Sequence, residues 1–168
     1  GRACLLLDYS GCGESEGAFA DGTLPIWRDD SLAAIAHHLP ADAPVVLVGS
    51  SMGGWLMLLI ALALGSRVAG LVGIAAAPDF TEWGFSDTDK ATIGESGRLE
   101  EPSEYSDEPY LTTRAFWESG QANLLLAGDI AIDAPVRLLH GQQDADVPWN
   151  ISLKLAAALR SSDVQTLL

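Results

Sequence analysis

Apolar residues arrive along this chain in short unbroken runs, separated by stretches of helical spacing. Residues 3–7 are apolar throughout and lead into Asp8 and a turn-rich stretch, Tyr9-Ser10-Gly11-Cys12-Gly13. A run of that length without polar alternation predicts a strand buried on both faces, as in a parallel sheet. Over residues 24–39 the period becomes that of a helix, with Leu32, Ile35, Ala36 and Leu39 on one stripe and Arg28, Asp29 and Asp30 near its front. Pro25 suits the first turn, the acidic residues suit the N-terminal dipole, and Pro40 ends the element. Val45-Val46-Leu47-Val48 predicts a second buried strand, running through Gly49 into a helix over Met52–Leu64. That helix is apolar all round, so it belongs at the centre of the domain. Val68–Ile74 reads as a third strand, Val136–Leu139 as a fourth, residues 149–159 as a helix and 164–168 as the start of a fifth strand.

Strand and helix alternate, which predicts an α/β protein built on a mostly parallel, doubly wound sheet. The alternation is broken once. After Pro78 the chain turns acidic, carries Pro102 and Pro109, and scatters the aromatics Phe80, Trp83, Phe85, Tyr105, Tyr110, Phe116 and Trp117. Residues 79–130 are therefore expected to be a cap inserted into a single domain and covering its sheet. Residues 1–168 are expected to be part of that domain, cut at both ends, since Gly1 is not a natural start and the last strand stops at Leu168.

Charge narrows the partners. The chain carries a formal net charge of −14, and residues 79–129 hold twelve acidic against three basic side chains. Such a surface repels phosphate backbones and anionic membranes, so nucleic acid is not expected as a partner. The longest apolar stretch is shorter than the roughly 20 residues needed to cross a bilayer. No secretory signal is visible, and the expectation is a cytoplasmic protein, or a mitochondrial one if the source is eukaryotic. Cys4 and Cys12 read as two free thiols, Cys4 in core packing and Cys12 as a small turn residue.

Two constellations carry chemistry. Gly49-Ser50-Ser51-Met52-Gly53 matches G-x-S-x-G, a pentapeptide short enough to arise by chance. Here it lies between an aliphatic strand and an apolar helix, where a nucleophile elbow must lie. The bland reading is a tight strand-to-helix turn. The chemical reading makes Ser51 a nucleophile raised above the sheet and the Met52 N–H an oxyanion donor at a helix N-terminus. Ser50 then packs or bonds locally. The second constellation is Leu138-Leu139-His140-Gly141-Gln142-Gln143-Asp144-Ala145-Asp146-Val147-Pro148. A carboxylate following a strand end falls at the sheet edge where open α/β sheets bind ligands. Asp144 is the candidate acid, downstream of the serine as the order Ser, Asp, His requires. Asp146 is its neighbour, free to cap the following helix instead. The bland reading leaves both carboxylates solvated in a loop.

No histidine follows Asp144. His140 is too near that loop to be the base and is expected to fix the strand end through its ring. His37 and His38 fall at a helix end, where capping or solvation is ordinary. A serine hydroxyl needs a base, so the base is expected beyond Leu168, and the second oxyanion donor before Gly1. Asp8 is expected to hold the backbone of its own tight turn. No HExxH, paired CxxC or GxxxxGK occurs, so neither metal nor cofactor is expected.

These residues resemble the α/β-hydrolase superfamily, and in particular its branch of palmitoyl-protein thioesterases and acyl-glucuronide esterases with their bacterial relatives. The matching stretches are Asp8-Tyr9-Ser10-Gly11 through Ser15, then Gly49 through Leu58, then Leu138-Leu139-His140-Gly141 with Asp144 and Val147-Pro148-Trp149. The resemblance implies the α/β-hydrolase fold, Ser51 as nucleophile, Asp144 as acid, and Met52 as backbone oxyanion donor. It implies hydrolysis of a small carboxylic ester or thioester through an acyl-enzyme. Two other readings stay open: a catalytically incomplete relative that only binds acyl ligands or partners, and a carbon–carbon-bond hydrolase or peptidase on the same fold.

Overall fold

The computed structural model describes residues 3–102 and 109–168, so Gly1 and Tyr105 lie outside the described residues. The described helices are α1 (Leu24–His38), α2 (Met52–Leu64), α3 (Phe80–Trp83), α4 (Asp87–Ser96), α5 (Arg114–Gln121) and α6 (Asn150–Ala158). The strands are β1 (Val45–Ser50), β2 (Val68–Ile74), β3 (Arg98–Glu101), β4 (Tyr110–Thr113), β5 (Val136–Leu139) and β6 (Val164–Leu167). They fall into two compact units. One joins Ala36–Asp79 to Leu124–Leu168, and the other joins Gly1–Ile35 to Phe80–Asn123.

The first unit is a four-stranded sheet in the order β1-β2-β5-β6, with every pair parallel. Its register matters for function: Ser50 pairs with Ile74, Ile74 with Leu139, and Leu139 with Leu167. All four strands therefore end at one rim. Leu58, Leu71, Val136, Leu138 and Leu155 form the heart of the core beneath that rim and are almost fully buried. Each contributes roughly 1.5–3 kcal/mol by leaving water. Helix α2 behaves as its composition requires, with every residue from Gly54 to Ala61 buried.

Three expectations need correction. Residues 3–7 form no strand and are largely exposed, Leu6 at 87 %. An aliphatic run becomes a strand only where a neighbour accepts its ladder, and no described strand pairs with it. Strand β1 is not buried on both sides, because Val46 and Val48 are exposed at 53 % and 66 %. In α1 the buried stripe is Leu24, Trp27, Ser31 and Ile35, displaced from the expected one. The indole of Trp27 captures the helix face. Asp29 and Asp30 fall beyond the first turn, and Asp30 instead accepts the Ser10 N–H at 2.9 Å.

In the second unit, Trp27 packs against Tyr9, Phe19 and Phe116 with ring centroids 5.6–5.8 Å apart, and its Nε1–H donates to the Ser10 carbonyl. Phe116 continues the cluster to Phe80, and Phe80 to Phe85. Much of the aromatic content of the inserted segment is thus spent on its own core. Thr81 is fully buried, accepting from Gln121 Nε2 through its hydroxyl and from Trp117 Nε1 through its carbonyl. Helix α4 opens on a capping box in which Ser86 and Asp89 exchange hydrogen bonds. Strands β3 and β4 form an antiparallel pair.

Candidate functional site

Ser51 stands between the last residue of β1 and the first of α2, with φ 51° and ψ −124°. A non-glycine residue there is strained by about 1–3 kcal/mol and needs surrounding structure to hold it. The restraint is visible. Its N–H donates to the Ile74 carbonyl at 3.0 Å, and its carbonyl accepts from Gly54 N–H at 2.9 Å and Ala77 N–H at 3.0 Å. The end of β2 therefore grips the turn from outside. Close approach excludes side chains around it: a Cβ on Gly49 would lie 2.3 Å from the Gly53 carbonyl oxygen, and one on Gly54 would lie 2.4 Å from the Ala76 Cβ.

The Ser51 side chain is exposed and does not cap α2, although it occupies the capping position. A serine at a helix start ordinarily spends its oxygen on a first-turn amide. Here, with φ 51° and ψ −124°, it makes no such bond. Met52 begins α2, so its N–H is one of the first-turn amides for which a helix provides no internal acceptor. Ser50 is exposed at the strand end and paired to Ile74 through its backbone.

Asp144 lies in the loop after β5, at the same rim. Its Oδ1 accepts the N–H groups of Asp146 at 3.0 Å and Val147 at 2.9 Å, and its own N–H donates to the Gly141 carbonyl. One carboxylate oxygen is thus committed to shaping the loop, while Oδ2 lies 3.7 Å from His140 Nε2. In the strand order β1 and β5 are separated by β2 alone. Ile74, Ala75, Leu139, His140, Asp144 and Leu167 line an open concavity along this rim.

His140 is buried and fully engaged. Its Nε2 lies 2.9 Å from the Val147 carbonyl and its Nδ1 2.7 Å from the Ser152 hydroxyl. A carbonyl only accepts, so Nε2 carries a hydrogen, and in the neutral ring Nδ1 then accepts one from Ser152. The ring fixes the strand end, as its position in the sequence suggests. Asp146 is exposed and does not cap α6, whose capping residue is Trp149, without a side-chain bond. His37 and His38 stand exposed in the last turn of α1, their rings edge to face at 4.7 Å.

In the second unit Asp8 accepts the Glu14 N–H through its carboxylate and the Ser15 hydroxyl through its carbonyl, holding the turn as expected. Both cysteines are free, and Cys4 is exposed rather than packed in a core. Burial, then the carboxylates of Asp8 and Asp30, push the Cys12 thiol above its usual pKa, which disfavours the reactive thiolate.

Sequence reasoning missed Asp79 as anything but the start of an insertion. It is 5 % exposed with φ 60°, and its two oxygens accept the N–H groups of Leu125 at 2.8 Å and Leu126 at 2.7 Å. The signal available was a lone carboxylate directly after a strand and a proline, at the head of an acidic segment that camouflaged it.

Comparison with known proteins agrees with this fold. Residues 1–168 match the alpha/beta hydrolase family. The chain is 40 % identical over 172 residues to the human palmitoyl-protein thioesterase ABHD10, mitochondrial, a match covering all of this chain and 56 % of that protein. It superposes on a putative hydrolase from Agrobacterium vitis S4 with a TM-score of 0.87 and 44 % identity, covering 96 % of this chain and 65 % of that one. Against the alpha/beta hydrolase domain-containing protein 10 from mouse the TM-score is 0.84 at 38 % identity, with the same two coverages. The chain thus spans little more than half the length of the curated relatives it matches.

Proposed function

Because this chain belongs to the alpha/beta hydrolase family, we propose that its parent protein hydrolyses carboxylic esters or thioesters through an acyl-enzyme on Ser51. One observation carries the reading. Ser51 is held in a strained bend, exposed and with no capping hydrogen bond from its side chain, at the rim that also presents Asp144. A fold maintains such strain where the side chain must be presented.

In this reading the Ser51 Oγ attacks the acyl carbonyl as a base takes its proton. The Met52 N–H, at the positive end of α2, stabilises the oxyanion. Collapse expels the alcohol or thiol, protonated by the same base, and water then releases the acid by the reverse sequence. Asp144 orients the base and stabilises its charged form. His140 has both ring nitrogens committed, and His37 and His38 belong to the last turn of α1, so the base is assigned to a residue outside 1–168. The printed name of the human relative, a palmitoyl-protein thioesterase, supports an acyl-thioester as one substrate class and the mitochondrion as one compartment. Among the described residues no helix is long and apolar enough to cross a membrane.

The test uses the full-length protein with acyl-thioester and aryl-ester substrates. Ser51→Ala should lose turnover by several orders of magnitude, and Asp144→Asn by about 10⁴ with KM nearly unchanged. A merely modest loss in Ser51→Ala sinks the assignment and favours the alternative, a relative that binds acyl ligands without turning them over.

A further inference from the structure

We infer that His140 is a positioning residue for the carboxylate of Asp144, acting through Val147 and itself oriented by Ser152. The inference rests on the hydrolase reading above and adds two residues to it.

A continuous path of hydrogen bonds connects the first turns of α6 to the acid. The Ser152 hydroxyl donates to His140 Nδ1 at 2.7 Å, and His140 Nε2–H donates to the Val147 carbonyl at 2.9 Å. The Val147 N–H donates to Asp144 Oδ1, also at 2.9 Å. Val147 is thus held from both sides, its carbonyl by the imidazole and its N–H by the carboxylate. The backbone of His140 is anchored as well, its N–H donating to the Leu167 carbonyl. Strand β5, strand β6, helix α6 and the acid's loop therefore converge on one residue, the last two through its ring.

Burial makes this arrangement costly to place without a reason. The His140 side chain has no solvent exposure and Ser152 is 1 % exposed, so each polar atom depends on its partner. An aliphatic residue at position 140 would fill the space without that dependence. It would not fix the Val147 carbonyl, nor set an N–H 3.7 Å from Asp144 Oδ2. The ring thus holds Val147, whose N–H donates to Oδ1, and lies 3.7 Å from Oδ2, so the seat of the Asp144 carboxylate depends on it.

The test compares His140→Asn, which cannot reach the Val147 carbonyl, with His140→Gln, whose amide nitrogen can occupy the Nε2 position. Both are made in the full-length protein, with folding checked by denaturant unfolding. His140→Asn should lower kcat about tenfold to a hundredfold through misplacement of the acid, with KM within about twofold. The acid limb of kcat/KM against pH should also move to lower pH, because the base loses part of the carboxylate's stabilisation. His140→Gln should restore most of both. A rate scaled equally at every pH, or wild-type kinetics, overturns the inference. If His140→Asn does not fold, Ser152→Ala carries the same test, with the same direction of shift expected and rescue by Ser152→Thr. Ser51→Ala separates the two failures: activity surviving in it removes the hydrolase reading. Its inactivity beside unaffected His140 variants removes the positioning role alone.

Discussion

The N–H of Ser51 donates to the carbonyl of Ile74 at 3.0 Å, tying the strained residue of one strand's end to the last residue of the next. Ala77 returns the bond to the Ser51 carbonyl. The bend is therefore imposed by the neighbouring strand, and its energy should be measurable independently of any reaction.

Ser51→Gly should be more stable than Ser51→Ala by about 1 kcal/mol, because glycine adopts φ 51° without a Cβ penalty while alanine keeps the strain. Urea unfolding of the two variants measures the difference. Equal midpoints, or a more stable alanine variant, would show that the bend is relaxed.

The clasp at Asp79 makes a second prediction. Asparagine offers one acceptor oxygen where the carboxylate offers two, so Asp79→Asn would turn an amino group toward the Leu125 or Leu126 N–H. Leaving one buried amide unmet costs roughly 1–3 kcal/mol. The urea midpoint should fall with an unchanged m-value. A variant as stable as wild type would mean that the two amides find other acceptors.

Acid should loosen α4 at its start. The Ser86 hydroxyl, then the Ser86 N–H, hold the Asp89 carboxyl below its usual pKa. A carboxyl depressed in the folded state stabilises above its unfolded value, and that contribution fades as pH falls through the lower folded one. The window lies below about pH 4, and the effect is small because the group is exposed to solvent. Amide exchange at Ser86 and Asp89 should accelerate there beyond its intrinsic pH dependence, and Asp89→Asn should abolish the excess. An identical pH response in both proteins would count against the capping box.

Which features the sequence disclosed depended on how local their causes are. Helix α2 and strand β2 lie where their apolar runs place them, because each run carries enough apolar surface to seat it in the core, Gly54–Ala61 and Leu71 above all. The elbow was legible because glycine spacing, strand and helix all bear on a few consecutive residues. Residues 3–7 misled because a strand is a property of two chains of backbone, and no described strand pairs with them. The stripe of α1 was misplaced because Trp27 packs against Phe116, far away in sequence. Ser152 and Asp79 were hidden for the same reason: serine and aspartate look like surface until the atoms they bond are known.

The Asp79 clasp has a consequence for how such chains diversify. One carboxylate grips the backbone where the excursion from Phe80 to Asn123 departs and where it rejoins. Between those points, residues can be exchanged, added or lost over generations without disturbing how the parallel strands register.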